Sequence, residues 1–208
     1  MRLILATRSR AKLEELHGVL IPLGHTLIGL DEAGIGVRDE EEDIERYETF
    51  EENAGAKARY YSHRAGGAAV IADDSGLEVA ALGGLPGVRS KRWAGRSDLE
   101  GRALDAANNA RLLAALDGAS DRSARFVSVV VFREGEGDDA REVSARGEVG
   151  GQILEVGRGD RGFGYDPYFF SPELGRTLAE ASMEEKSRVS HRGRALRALV
   201  DRLGLAGH

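Results

Sequence analysis

The sequence predicts an α/β fold with a mixed β-sheet, and three observations carry that expectation. Strand-like apolar runs interleave with helix-period segments along the chain. Two long strand patterns, "ARFVSVVVF" and "REVSARGEVGGQIL", flank the polar turn "REGEGDD", as in a β-hairpin. No repeat, low-complexity tract or long linker divides the 208 residues, so residues 1–208 are expected to form a single domain with a well-buried core.

Arg2 to Ala6 reads as a short buried strand, and Ser9 as the N-cap of a helix carrying Leu13, Leu16 and Leu20 on one face. The segment "ATRSRAK" therefore sits at a strand-to-helix turn. Helix N-terminal amides, two arginines and a lysine there suit a phosphate. A solvated basic first turn fits the same residues, and the glycines of a Walker loop are missing. A second strand spans about Thr26 to Leu30. The acidic stretch "DEAGIGVRDEEEDIE" reads mostly as a solvated loop. Thr49 and Glu52 form a capping-box pattern ahead of a helix reaching Arg64, on which Asn53 and Lys57 share a face.

Ala68 to Ala72 reads as a buried strand ending at Asp73 and Asp74, with "LEVAAL" as a further extended piece. The paired carboxylates admit two readings. Asp and Ser stop strands by bonding to neighbouring amides; a strand end is also a rigid mount for a carboxylate that binds a metal or takes a proton from water. Adjacent strand residues point to opposite faces, so at most one of the pair addresses a given cleft unless the chain has already turned there. "GGLPGVRSKRWAG" is a loop leading to a cationic patch around Trp93, and Leu99 to Leu116 reads as a helix capped by Asp98. After the two hairpin strands, Ser190 caps a last helix whose Leu196, Leu199, Val200 and Leu203 form a core-facing stripe.

Composition removes several classes. At 41% hydrophobic and 31% charged the chain is that of a soluble globular protein, and no apolar run approaches membrane-spanning length. "LILA" is too short for a signal-peptide core, so the expected compartment is the cytoplasm. A net charge of −6 argues against a nucleic-acid coat. With no cysteine, any metal must rest on oxygen ligands or histidine. Of 29 basic residues only Lys12, Lys57, Lys91 and Lys186 are lysines. In a chain that favours arginine, these mark places where a compact ammonium suits better than a planar fork.

Chemistry-bearing groups concentrate near the C-terminus. "GFGYDP" sets two aromatics and a carboxylate among glycines, a loop whose rings can stack on a flat heterocycle. Lys186 follows a second capping box, Ser182 with Glu185, and "SHR" offers an imidazole and a guanidinium at a helix start. Each has a plain structural reading as an aromatic core loop, an ion pair or a cap. Together they supply a ring platform, base-edge donors and cations.

The segments "FEENAGAKA", "ADDSGLEVAALGGLPGVRS", "FGYDPYF" and "EEKSRVSHRGRAL", with the opening "LATRSRAKLEEL", resemble the signatures of the inosine triphosphate pyrophosphatase family, the noncanonical purine nucleoside triphosphate pyrophosphatases. They occur in the family's order from residue 3 to about residue 200, with only general similarity over Ser97 to Asp160. The resemblance implies a twisted central mixed sheet flanked by helices, with two lobes around an active-site cleft. It implies Mg²⁺-dependent hydrolysis of ITP, dITP and XTP to the monophosphate and pyrophosphate, usually by a homodimer.

By position, the resemblance gives Asp74 the roles of proton acceptor and metal ligand, and Glu45 that of the other metal acid. Lys57 would join the catalytic phosphate pocket. Thr7, Arg8, Ser9, Arg10, Ala11 and Lys12 would line the triphosphate, and Ser75 would bind substrate. Phe163, Gly164, Tyr165, Asp166, Lys186, His191 and Arg192 would hold the nucleoside. The family usually has Asn at the position of Ser9, and a small residue at those of Arg8 and Lys91. Neither a nucleic acid nor a membrane is an expected partner. Two competing readings are a nucleotide-binding regulator without turnover and a metal-dependent phosphatase of smaller esters.

Overall fold

In the computed structural model, which describes residues 2–21 and 24–205 apart from the Glu42 side chain, seven strands form one mixed sheet in the order β2-β1-β3-β4-β5-β6-β7. β1 (Arg2–Leu5) pairs in parallel with β2 (Thr26–Gly29) and with β3 (Val70–Val79), Ile4 lying opposite Ile28 and Val70. β4 (Ser123–Glu134) and β5 (Arg141–Ile153) are the long strands expected from the hairpin pattern. β6 (Phe169–Ser171) and β7 (Arg176–Thr177) extend the sheet antiparallel from β5. The helices are α1 (Arg10–Leu20), α2 (Phe50–Arg64), α3 (Gly101–Ala115), α4 (Met183–Val189) and α5 (His191–Leu203).

Helix starts follow their caps. Ser9 Oγ accepts the Lys12 N–H at 3.4 Å, and Thr49 Oγ1 accepts that of Glu52 at 3.2 Å. Glu52 Oε2 accepts a hydrogen bond from the Thr49 hydroxyl at 2.7 Å instead of reaching back to the backbone, so only half of that predicted box forms. Ser182 and Glu185 make the full reciprocal box. Asp98 is not the cap of α3: Glu100 occupies that place without a side-chain bond, and Asp98 binds Arg96 at 2.6 and 2.7 Å.

The chain divides into two compact units. The first is Met1–Asp74, Ser128–Gly147 and His191–His208; the second is Ser75–Val127 and Glu148–Ser190. In the first, Leu3 and Leu5 of β1, Ile71 of β3 and Phe132 of β4 pack with Leu16 and Leu20 of α1 and with the predicted α5 stripe. A Cβ at Gly147 would collide with the Ala195 nitrogen and the His191 carbonyl, so this glycine lets α5 begin directly against β5. In the second unit, Leu77 and Val79 pack with Leu112 and Leu116 of α3, and with Tyr165, Phe169 and Leu178.

One expectation changes. The strand does not end at the paired carboxylates: β3 continues through Asp73 and Asp74 as far as Val79, taking in only the first half of "LEVAAL", and Ala80–Leu82 form a 3-10 turn. Lys12 and Arg192 from distant elements compensate Asp73, so its side chain needs no local turn. The acidic stretch is mostly exposed, as expected, although a short 3-10 turn, Asp39–Asp43, forms within it and Glu41 is tied to Arg8 and Arg64 at 3.0 Å each.

Candidate active site

The first unit gathers seven charged groups around the middle of β3. Strand parity puts Asp73 on the face of Ile71, which packs against α1 and α5. There Asp73 Oδ2 meets Lys12 Nζ at 3.2 Å and accepts Arg192 Nε at 3.1 Å. Arg192 Nη1 donates in turn to Glu15, one turn along α1 from Lys12. Asp73, Glu15 and Arg192 are all buried. Lys12, Asp73, Arg192 and Glu15 thus form an alternating chain of charges spanning three elements.

Parity turns Asp74 to the opposite face. Lys57 of α2 donates to the Asp73 carbonyl at 2.9 Å and pairs with Glu45. Asn53, one turn earlier on α2, is buried and holds the Tyr47 backbone through both its N–H (2.9 Å) and its carbonyl (3.2 Å). This fixes the segment that carries Glu45. Asp43 and Glu48 lie exposed, and the Glu42 side chain lies outside the described residues.

The two neighbouring carboxylates are electrostatically unlike. Burial opposes ionisation of Asp73, but Lys12, Arg192 and Lys57 outweigh it and hold the carboxyl well below its usual range. Asp74, also buried, is pushed up to about 6, because burial and the nearby Glu45 and Asp73 charges overcome Lys57 and Lys12. Burial likewise works against Glu45, yet Lys57 and Lys12 hold it below the usual value. Burial also opposes the Lys57 ammonium, and Glu45, Asp73 and Asp74 together raise its pKa in spite of that. Lys12 moves down, chiefly through burial.

The donor chemistry fits a hard divalent cation. Asp73 is committed to Lys12 and Arg192, leaving Glu45 and Asp74 as oxygen donors, and the under-compensated Asp74 is the group an added positive charge would favour most. Among the described residues no three His, Asp or Glu form an all-protein metal cage. Two carboxylates completed by waters and phosphate oxygens are the usual surroundings of Mg²⁺.

The second unit holds the aromatic loop. Asp166 Oδ2 accepts the Phe163 N–H at 2.9 Å and binds Lys186 Nζ at 2.6 Å, and that ammonium stands 4.8 Å from the centroid of the Phe163 ring. Asp166 and Lys186 are buried, so the lysine is a fixed cation over one face of a partly exposed ring. Gly162 has φ +72°, and a Cβ there would strike Asp166 Oδ2, so glycine is required at this turn. Tyr165 is core: its hydroxyl donates to the Ser90 carbonyl at 2.8 Å.

Comparison with known proteins decides the family. The Ham1 family profile matches residues 3–202. The chain belongs to the Ham1 family. It is similar to a dITP/XTP pyrophosphatase of Ralstonia nicotianae, 46% identical over 204 residues that cover 98% of this chain and 97% of the relative. A dITP/XTP pyrophosphatase of Mycolicibacterium paratuberculosis is 50% identical over 207 residues, covering 97% and 95%. A solved HAM1 protein structure from Coxiella burnetii superposes with a TM-score of 0.82 at 38% identity, over 98% of both chains.

Within this Ham1-family chain the predicted residues fall into different environments. Lys12, Glu45, Lys57, Asp74 and Arg192 come together in the first unit; Phe163, Asp166 and Lys186 do so in the second. His191 is buried beside Arg192 at the start of α5, and Ser75 follows Asp74 on β3. Thr7 Oγ1 accepts the Ser9 N–H at 3.1 Å and shapes the turn before α1, while Arg10 lies at the surface with Glu14. Arg8 turns to acidic neighbours: its guanidinium binds Glu41, Asp31 at 2.8 Å and the Ile35 carbonyl at 3.0 Å. Sequence reasoning passed over Glu15 and gave Asn53 only a shared face. Glu15 did carry a signal, a charge in register with the apolar stripe of Leu16 and Leu20.

Proposed function

We infer that this chain hydrolyses noncanonical purine nucleoside triphosphates, ITP, dITP and XTP, to the nucleoside monophosphate and pyrophosphate. Membership of the Ham1 family and the names of its full-length relatives support this reading. The observation that carries it chemically is the pairing at β3: one carboxylate locked as an anion among three cations, the next left poised near pH 6 beside Lys57 and Glu45. Phosphoryl chemistry depends mainly on positioning and charge neutralisation, and such a cluster provides both.

Glu45 and Asp74 would hold Mg²⁺, which supplies charge neutralisation at the triphosphate when bound. Asp74 orients the attacking water and accepts its proton. Lys57 and Lys12 draw the phosphates in; Asp73 aligns Lys12 through its carboxylate and Lys57 through its carbonyl. Phe163 offers its ring to the base, with Lys186 and Asp166 holding it in place. His191 and Arg192 donate to the 6-oxo group. Anchorage of Arg192 through Nε and Nη1 on Asp73 and Glu15 makes it a rigid donor. Adenine's 6-amino group would leave donors facing donors. A homodimer and a cytoplasmic location belong to the same proposal, with sedimentation of the purified protein reading the first.

The direct test incubates the protein with ITP, dITP, XTP, ATP and GTP in Mg²⁺ and identifies the products. Pyrophosphate with IMP from ITP is expected. Orthophosphate as the product would transfer the site to phosphatase chemistry, and binding without turnover would make the chain a regulator.

A further inference from the structure

We infer that Asp105 and Asn109 of α3 are positioning residues that set the base platform by holding both backbone polar groups of Gly164. Spaced four apart, they share one face of the helix. Asp105 Oδ2 accepts the Gly164 N–H at 2.9 Å, and Asn109 Nδ2 donates to the Gly164 carbonyl at 2.9 Å. A single loop residue therefore has its donor and its acceptor taken by two side chains of one helix. Gly164 needs such a hold, since a glycine at φ +62° has negative φ about equally open to it and loses more conformational freedom on ordering than any other residue.

The pins lie immediately beside the ring that matters. Phe163 is fixed on one side by Asp166, which binds its N–H, and on the other by Gly164, clamped to α3. Lys186 stands over the ring from the same carboxylate. With its two peptide flanks held by Asp166 and Asp105 and its ring packed against Lys186, Phe163 has little freedom to tilt. Asn109 is itself buried. Its neighbour Asn108 serves a different loop, accepting from the Ala94 N–H at 2.7 Å and donating to the Lys91 carbonyl at 3.1 Å. The paired asparagines thus divide their work, and Asn109 can be altered without removing the bonds to Lys91 and Ala94.

This inference rests on the reading of the loop as a base platform and deepens it. Removing either pin should loosen the ring and weaken ground-state binding of the nucleoside, while the phosphate chemistry on β3 stays intact. Asp105→Ala and Asn109→Ala are expected to raise KM for dITP about tenfold, the scale of one lost net hydrogen bond, with kcat changed less than about twofold. Asp105→Asn keeps an oxygen for the Gly164 N–H and should restore KM to within about threefold of the parent. Asn109→Asp, equal in size but lacking the donor, should behave as Asn109→Ala and serves if that variant folds poorly.

Calorimetric binding of dIMP reads the platform without turnover and should weaken by the same factor. If the parent protein releases no pyrophosphate from dITP, the activity reading fails, and the dIMP measurement still decides the role of the pins. Folded variants with unchanged KM and unchanged dIMP affinity would overturn the inference. So would a fall in kcat at constant KM, or an Asp105→Asn variant as impaired as Asp105→Ala.

Discussion

Asp74→Asn should make the metal-free protein more stable at pH 8 while abolishing turnover. Asp74 is 7% exposed, and its folded-state pKa of about 6 lies above the ordinary carboxylate value of 3.8. The native state thus binds this proton more tightly than the unfolded chain. Its contribution to stability is complete below the unfolded pKa and is lost as pH rises through the folded pKa. A shift of roughly two pH units corresponds to about 3 kcal/mol of buried-charge penalty at pH 8. Asparagine has nearly the same shape and cannot ionise, so it escapes that penalty. For a chain of this size the difference is on the order of 5–10 °C in Tm.

Thermal denaturation in EDTA at pH 5 and pH 8 measures it. The variant should melt higher at pH 8, with the gap mostly closed at pH 5, where Asp74 itself is largely protonated. Added Mg²⁺ should raise the Tm of the parent and leave that of Asp74→Asn nearly unchanged. Equal stability of the two proteins at pH 8, or a gap independent of pH, would refute the electrostatic reasoning. A variant retaining turnover would remove Asp74 from the chemistry.

Arg8→Gln is expected to lower Tm by a few degrees, through loss of the bonds to Glu41, Asp31 and Ile35, and to change KM for dITP by less than about threefold. A KM increase of tenfold or more would return Arg8 to the phosphates. Glu15→Gln leaves the buried Arg192 short of one counter-charge and should cost about 3 kcal/mol, read by urea denaturation. Strong coupling between Glu15→Gln and Asp73→Asn in a double-mutant cycle is expected, because both carboxylates bind one guanidinium; additive losses would break up the proposed charge chain.

Local signals made much of the fold legible. Ser9, Thr49 and Ser182 cap helices because a side-chain oxygen satisfies an amide within three residues, an interaction complete inside the sequence window. The continuous apolar run of β4, the alternation of β5 and the stripe of α5 were equally readable, because a strand buried on both faces, a strand buried on one and an amphipathic helix each leave their own pattern. Asp98 misled for the same local reason: it follows a cap's composition, but Arg96 two residues away binds it first.

The residue inventory of the candidate site, Asp74, Lys57, Lys12, the aromatic loop and "SHR", was written in the sequence by residue type and motif. What those residues do to one another was not. Whether β3 stops or continues at its paired carboxylates depends on Lys12 and Arg192, which lie 61 and 119 residues from Asp73 along the chain and reach it only when α1 and α5 pack on the same face of the sheet. The tertiary structure alone decides that Asp73 is the locked anion and Asp74 the poised one. It alone turns Arg8 to Glu41 and closes α3 on Gly164. Propensity and period act over a few residues, whereas charge compensation and burial are properties of the assembled core.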